Sequence, residues 1–88
     1  MFSRLDQWMT SYDLKQFILD IPLFKKDNFS PDIEETLMFN REDQARGFVV
    51  FYNLDHANRV YCYFNNVVKK KSVPSKNSKG ELIEVRFI

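Results

Sequence analysis

The chain of 88 residues carries 13 lysines and arginines against 12 aspartates and glutamates, a formal net charge of +1. That length supports one small domain over residues 1–88, and 44% hydrophobic with 16% aromatic residues is too much for a disordered chain. Two glycines and three prolines exclude collagen-like and low-complexity classes.

Phe2, Leu5, Trp8, Met9 and Tyr12 recur at three- or four-residue steps. This spacing predicts an N-terminal helix within residues 1–12, with Phe2 and Trp8 as packing residues. The following DLKQFILDIPLF reads two ways. Leu14, Phe17, Ile18 and Ile21 fit a helix stopped by Pro22, with Thr10 and Asp13 as a capping-box-like start. Phe17, Leu19, Ile21 and Leu23 equally alternate as in a strand. Ser30-Pro31-Asp32 reads as a helix start, with Glu34 and Glu35 near the positive end of the dipole. Asn40–Gln44 separates two apolar runs and predicts a hairpin. ARGFVVFYN, residues 45–53, is the strongest strand of the chain. Asn53 or Asp55 then caps a helix running to about Asn66, with Ala57, Val60, Tyr61 and Phe64 as its buried stripe. In ELIEVRFI, Ile83, Val85 and Phe87 alternate with Glu84 and Arg86, as in a half-buried strand. The order predicts an α+β domain, an antiparallel sheet packed on helices.

Charge is unevenly spread. Residues 1–44 hold five basic and nine acidic side chains, and residues 45–88 hold eight basic and three acidic. Within the basic half, the loop 66–80 contains five lysines and no acid, a plausible footprint for phosphate. The plain alternative is a solvated loop that keeps the protein soluble.

Catalytic chemistry is thinly supplied. Cys62 is the only thiol and His56 the only imidazole, and six residues apart on one helix they face different directions. Cys62 is expected as a small buried residue and His56 as a surface one. A structural zinc site needs four ligands, and Gly47 and Gly80 are isolated, so no phosphate-cradling loop is present. Glu34–Glu35 and Glu42–Asp43 read as solvated charge. No enzyme activity, cofactor or metal is expected. A single cysteine allows no intrachain disulfide. The opening residues do not read as a signal peptide and no run is long enough to span a membrane, so a cytoplasmic protein is expected.

Gln44-Ala45-Arg46-Gly47-Phe48-Val49-Val50-Phe51 resembles the RNP1 segment of the RNA recognition motif. Aligned from its end, Gly47, Phe48, Val49 and Phe51 match, with Arg46 at a usually aromatic position. Aligned from its start, Arg46-Gly47-Phe48 match and the rest slips by one. Both registers put Arg46, Phe48, Val50 and Tyr52 on one face and Phe51 on the other. Asp55-His56-Ala57 resembles the start of the family's second helix and ELIEVRFI its last strand, while Phe17–Pro22 loosely resembles the RNP2 strand and would put Phe17 on the binding face. The stretch from Pro22 to Leu37 is short for the family's first helix. The resemblance implies a ferredoxin-like βαββαβ fold preceded by the N-terminal helix. A helical 13–21 gives αββαβ instead.

Two functions follow as expectations. The first is a small regulatory protein binding RNA or another single-stranded nucleic acid. Phe48 and Tyr52 would stack bases, and Arg46, Lys69, Lys70, Lys71, Lys76 and Arg86 would meet phosphates. The second is a small protein-binding inhibitor or regulator, of the kind encoded by viruses or mobile elements. Its acidic 27–43 would face a basic partner or the basic half of a second copy, and a sheet edge would suit homodimerisation.

Overall fold

The structure, a computed structural model, describes residues 1–41, 44–70 and 76–87, and of 66–70 the backbone alone. The elements are β1 (Phe2–Leu5), α1 (Ser11–Leu19), α2 (Pro22–Lys26), β2 (Ile33–Arg41), β3 (Gln44–Phe51), α3 (Leu54–Lys70) and β4 (Glu84–Val85). The strands form one four-stranded sheet in the order β2-β3-β1-β4, antiparallel at every neighbour. Apart from the short α2, this is the split βαβ, or ferredoxin-like, arrangement. The α+β reading is borne out.

The two faces of the sheet follow from the alternation along β3. Ala45 and Gly47 are buried, and Val49 and Phe51 pack against the core, whereas Arg46 and Val50 are exposed. Helices α1 and α3 pack on the first face. Leu14 and Ile18 of α1, Val60 and Phe64 of α3, Phe2 and Leu5 of β1, Phe24 of α2 and Ile83 meet there in one core. The second face carries no helix among the described residues.

The predicted N-terminal helix is not formed, because Phe2–Leu5 is a strand. Its pairing with β3 shifts register between Phe2 and Leu5, and Arg4 sits at φ 62°. That irregularity takes one residue out of the pleat, so Phe2 and Leu5 both turn inward three residues apart. A bulged strand thus reproduces the spacing of a helix. Phe2 is 2% exposed and does pack, but Trp8, in the turn that follows, is 67% exposed.

Residues 13–21 resolve in favour of the helix. Thr10 Oγ1 accepts from the Asp13 amide at 3.2 Å and the Asp13 carboxylate accepts from the Thr10 amide at 2.9 Å, the capping box expected from the sequence. Pro22 ends this run and also opens α2 at its first turn. The RNP2-like reading of Phe17–Pro22 therefore fails, as does Phe17 on the binding face. Phe17 lies in α1 and packs against the Phe64 ring at 6.0 Å.

Ser30-Pro31-Asp32 does not start a helix. The chain enters β2 at Ile33, and the Asp32 carbonyl accepts from the Tyr52 amide at 3.1 Å. A ladder running from Ile33↔Phe51 to Arg41↔Gln44 outweighs the local helix-start preference, and Pro31 precedes the strand, where its missing N–H loses no ladder bond. The expected hairpin is the β2–β3 pair. Asn53 Oδ1 accepts from the Asp55 amide at 2.7 Å and opens α3, which runs to Lys70, beyond the Asn66 expected. Val60 and Phe64 of the expected stripe are buried, and Ala57 and Tyr61 are half-buried.

Gly47 marks the closest approach of helix to sheet. A Cβ there would stand 2.4 Å from Leu14 Cδ2, 3.0 Å from Leu5 Cδ1 and 3.1 Å from Met38 Sδ. Leu14 is fully buried and has nowhere to swing. Gly47→Ala is expected to lower stability by about 1–3 kcal/mol, read as a lower denaturation midpoint with an unchanged slope.

Candidate nucleic-acid interface

The uncovered face of the sheet is built from alternate residues of the β2–β3 hairpin. Cross-strand pairing sets Leu37 against Phe48, Phe39 against Arg46, Glu35 against Val50 and Arg41 against Gln44. The side chains of Thr36, Met38 and Asn40 turn the other way. Thr36 Oγ1 donates to the Ser11 carbonyl at 2.9 Å, Asn40 Nδ2 donates to the Gln7 carbonyl at 2.6 Å, and Met38 packs against the core. These contacts tie the back of β2 to α1 and the turn before it, leaving Leu37 and Phe39 outward.

Phe39 and Phe48 meet edge to face at the centre of this surface, with centroids 5.5 Å apart and planes at 85°. Phe48 is half-buried and Phe39 is 49% exposed. Val50 and Tyr52 continue the outward row, both exposed. Arg41 and Arg46 flank the aromatic pair, and neither has an ion-pair partner among the described residues.

Toward β1 and β4 the face becomes polar. An open basin of about 530 Å³ is lined by Ser3, Arg4, Trp8, Arg46, Lys79 and Arg86 among others. Its walls are fixed by hydrogen bonds across the chain. Asp6 Oδ1 accepts from the Ser78 amide at 2.7 Å and from its hydroxyl at 2.5 Å, and Asn77 Nδ2 donates to the Arg4 carbonyl at 3.0 Å. Glu84 lies 3.6 Å from the Arg4 guanidinium and 3.5 Å from that of Arg86. Arg46 and Lys79 are the side-chain cations of this basin without a carboxylate partner among the described residues. Burial lowers the pKa of the Met1 amine, which donates to the Arg86 carbonyl at the basin's edge.

The sequence-derived positions are thus partly brought together. Arg46 and Phe48 share the open face, with exposed Tyr52 just beyond the end of β3, and Arg86 reaches the basin beside Arg46. Lys76 is exposed and stands apart in a bridge with Leu82. Lys71 and the side chains of Lys69 and Lys70 lie outside the described residues. Leu37, Phe39 and Arg41 were missed, although their alternation with Thr36, Met38 and Asn40 is visible once the hairpin is accepted. Trp8 was missed, and Lys79 was counted only as one of the five lysines of 66–80, because only the tertiary fold brings the β1 exit turn to the 77–80 turn.

Two expectations about single residues are corrected. Cys62 is exposed rather than buried. His56 is half-buried rather than a plain surface residue. Its Nδ1 accepts from the Asp32 amide at 2.9 Å and its ring meets Phe29 edge-on at 5.0 Å, tying the start of α3 to the start of β2. Among the described residues no cluster of histidine, cysteine and carboxylate side chains could hold a metal, and no helix is long and apolar enough to cross a membrane.

Comparison with family models, curated proteins and solved structures gave no match to this chain.

Proposed function

We propose that this protein is a non-catalytic regulatory module that binds RNA or another single-stranded nucleic acid on the open face of its sheet. The observation that carries the reading is the Phe39–Phe48 pair, outward on adjacent strands, with Arg41 and Arg46 beside it, neither of them ion-paired among the described residues. Exposed aromatic faces accept unstacked bases, and guanidinium groups alongside them meet the connecting phosphates. Flexible single strands fit such a surface, because their bases can splay onto it. The resemblance of Gln44–Phe51 to the RNP1 segment supports the same reading, since this segment lies on β3, an inner strand of a βαββαβ sheet.

In this reading a strand crosses from the aromatic pair toward the basin, with Arg46 shared by both. Arg86 and Lys79 then extend the cationic path, and Tyr52 offers a further ring at the opposite end of β3. Lys69, Lys70, Lys71 and Lys76 of the acid-free segment add long-range attraction for phosphate.

Fluorescence anisotropy of labelled single-stranded RNA and DNA, followed over a salt series, tests this. Binding should be present at low salt and weaken linearly in log Kd against log salt. Arg46→Ala should lower that slope by about 0.7, the value for one phosphate contact on a single strand. Absence of binding to either polymer at low salt would overturn the reading.

A further inference from the structure

We propose that β2 is a dimerisation edge, along which two copies of this chain pair antiparallel about a two-fold axis at Leu37, joining two four-stranded sheets into one. The two edges of the sheet are unlike. β4 has only two residues, which leaves little backbone to template another strand. β2 has nine, Ile33–Arg41, with no proline or lysine among them, and its only irregularity falls at Ile33–Glu35. Its outer backbone row meets no strand among the described residues. An edge this long, with its bulge and charges confined to its two ends, is a ready template for a further strand.

The sequence of the edge selects a second copy as that strand. Centred on Leu37, antiparallel pairing sets Leu37 against Leu37 and Glu35 against Phe39, and it stops short of the bulge at Ile33–Glu35. Glu35 and the second copy's Arg41 then become diagonal neighbours on the open face, about 7–8 Å apart at the backbone and within reach of long side chains. Two-fold symmetry repeats this contact at both ends. Within one chain neither Glu35 nor Arg41 has an ion-pair partner among the described residues. Between the charged ends lie Leu37, 40% exposed, and Phe39, 49% exposed, which would form one apolar strip across the axis. On the helix side, Thr36 holds the start of α1 beside the middle of β2, and Tyr12 there is 67% exposed. Phe39 and Arg41 serve both this edge and the proposed nucleic-acid face, and the test below contains no nucleic acid, so either reading can fail without the other.

Sedimentation velocity over a concentration series should show reversible formation of a species of twice the 10.6 kDa chain mass. Arg41→Glu places two carboxylates together at each end and should weaken the dimer on the order of tenfold. The double variant Glu35→Arg/Arg41→Glu swaps the charges and should restore it, with circular dichroism checking that each variant folds. In a Cys62→Ser background, Leu37→Cys should form a disulfide-linked dimer under mild oxidation. Val50→Cys, exposed on the same face but one strand inward, should not. A wild-type chain monomeric at every soluble concentration would overturn the proposal. So would Arg41→Glu dimerising like the wild type, a charge swap that recovers nothing, or Leu37→Cys linking no faster than Val50→Cys.

Discussion

Replacing Phe48 with alanine is expected to weaken binding to single-stranded nucleic acid by about 1–3 kcal/mol, on the order of tenfold to a hundredfold in Kd, while leaving the fold intact. Phe48 stands on the face away from the core, and Phe39 is the one ring paired with it. Its removal therefore opens no cavity among the buried residues, and loss of the ring pair costs folding about 1 kcal/mol. Phe39→Ala should act in the same direction, and the double variant should fall short of the sum, because each ring orients the other. Conservative replacements separate stacking from simple apolar contact. Phe48→Tyr keeps a ring and should retain most of the affinity, whereas Phe48→Leu keeps apolar bulk and should lose it. Anisotropy titration with melting curves of the same samples reads both quantities. Equal affinities for the leucine and tyrosine variants would show that the ring is not stacking a base.

The second large effect falls on the opposite face. Phe64→Ala is expected to cost about 3–5 kcal/mol of stability. The Phe64 ring is 3% exposed. It meets Phe2 of β1 at 5.3 Å, Phe17 of α1 at 6.0 Å and Tyr63 of α3 at 5.1 Å. Deleting it removes a side chain that contacts the first strand and the first helix from the last helix. In a domain of this size each kcal/mol shifts the melting temperature by roughly 4–8 °C. The loss is thus comparable with the whole stability of a marginal domain. Phe87→Ala is the contrast. Phe87 is 52% exposed and contacts Tyr61 at 4.7 Å on the surface, so about 1 kcal/mol is expected. Thermal melts of the two variants should differ by well over 10 °C, and equal melting temperatures would contradict this picture of the core.

The aromatic residues fall into a structural set and a proposed binding set. Phe2, Phe17, Phe24, Phe29 and Phe64 lie in or against the core, where their area drives folding. Phe39 and Phe48 are held outward by strand alternation. The same hydrophobicity that builds one face leaves the other with an apolar centre, and the flanking arginines give that centre its proposed preference for a polyanion.

Strong local signals were legible in the sequence. The strand 45–53, the capping box at Thr10–Asp13 and the hairpin at Asn40–Gln44 each rest on residues adjacent in sequence, and the structure forms each element within a few residues of its expected bounds, whereas the expected last strand shrinks to Glu84–Val85, with Ile83 buried beside it and Phe87 exposed. The parity that puts Arg46, Phe48 and Val50 together is a property of any strand. The opening charge asymmetry was also a sequence property, and it divides the chain rather than the surface, since the acidic half supplies Arg4 and Arg41 to the same face as Arg46 and Arg86.

Tertiary pairing decided the rest. Phe2–Leu5 reads as helix because a bulge at a positive-φ Arg4 gives a strand the spacing of a helix, and only hydrogen bonding to β3 and β4 on either side makes it a strand. Ser30-Pro31-Asp32 carries a helix start that the ladder of a nine-residue strand overrules. His56 acquires its role from a backbone amide 24 positions away. The basin exists because Asp6 and Ser78, 72 positions apart, bond to each other. Local propensity is written within a few residues. Which strand becomes an edge, which face stays open and which distant cations share it depend on contacts that no short stretch of sequence contains.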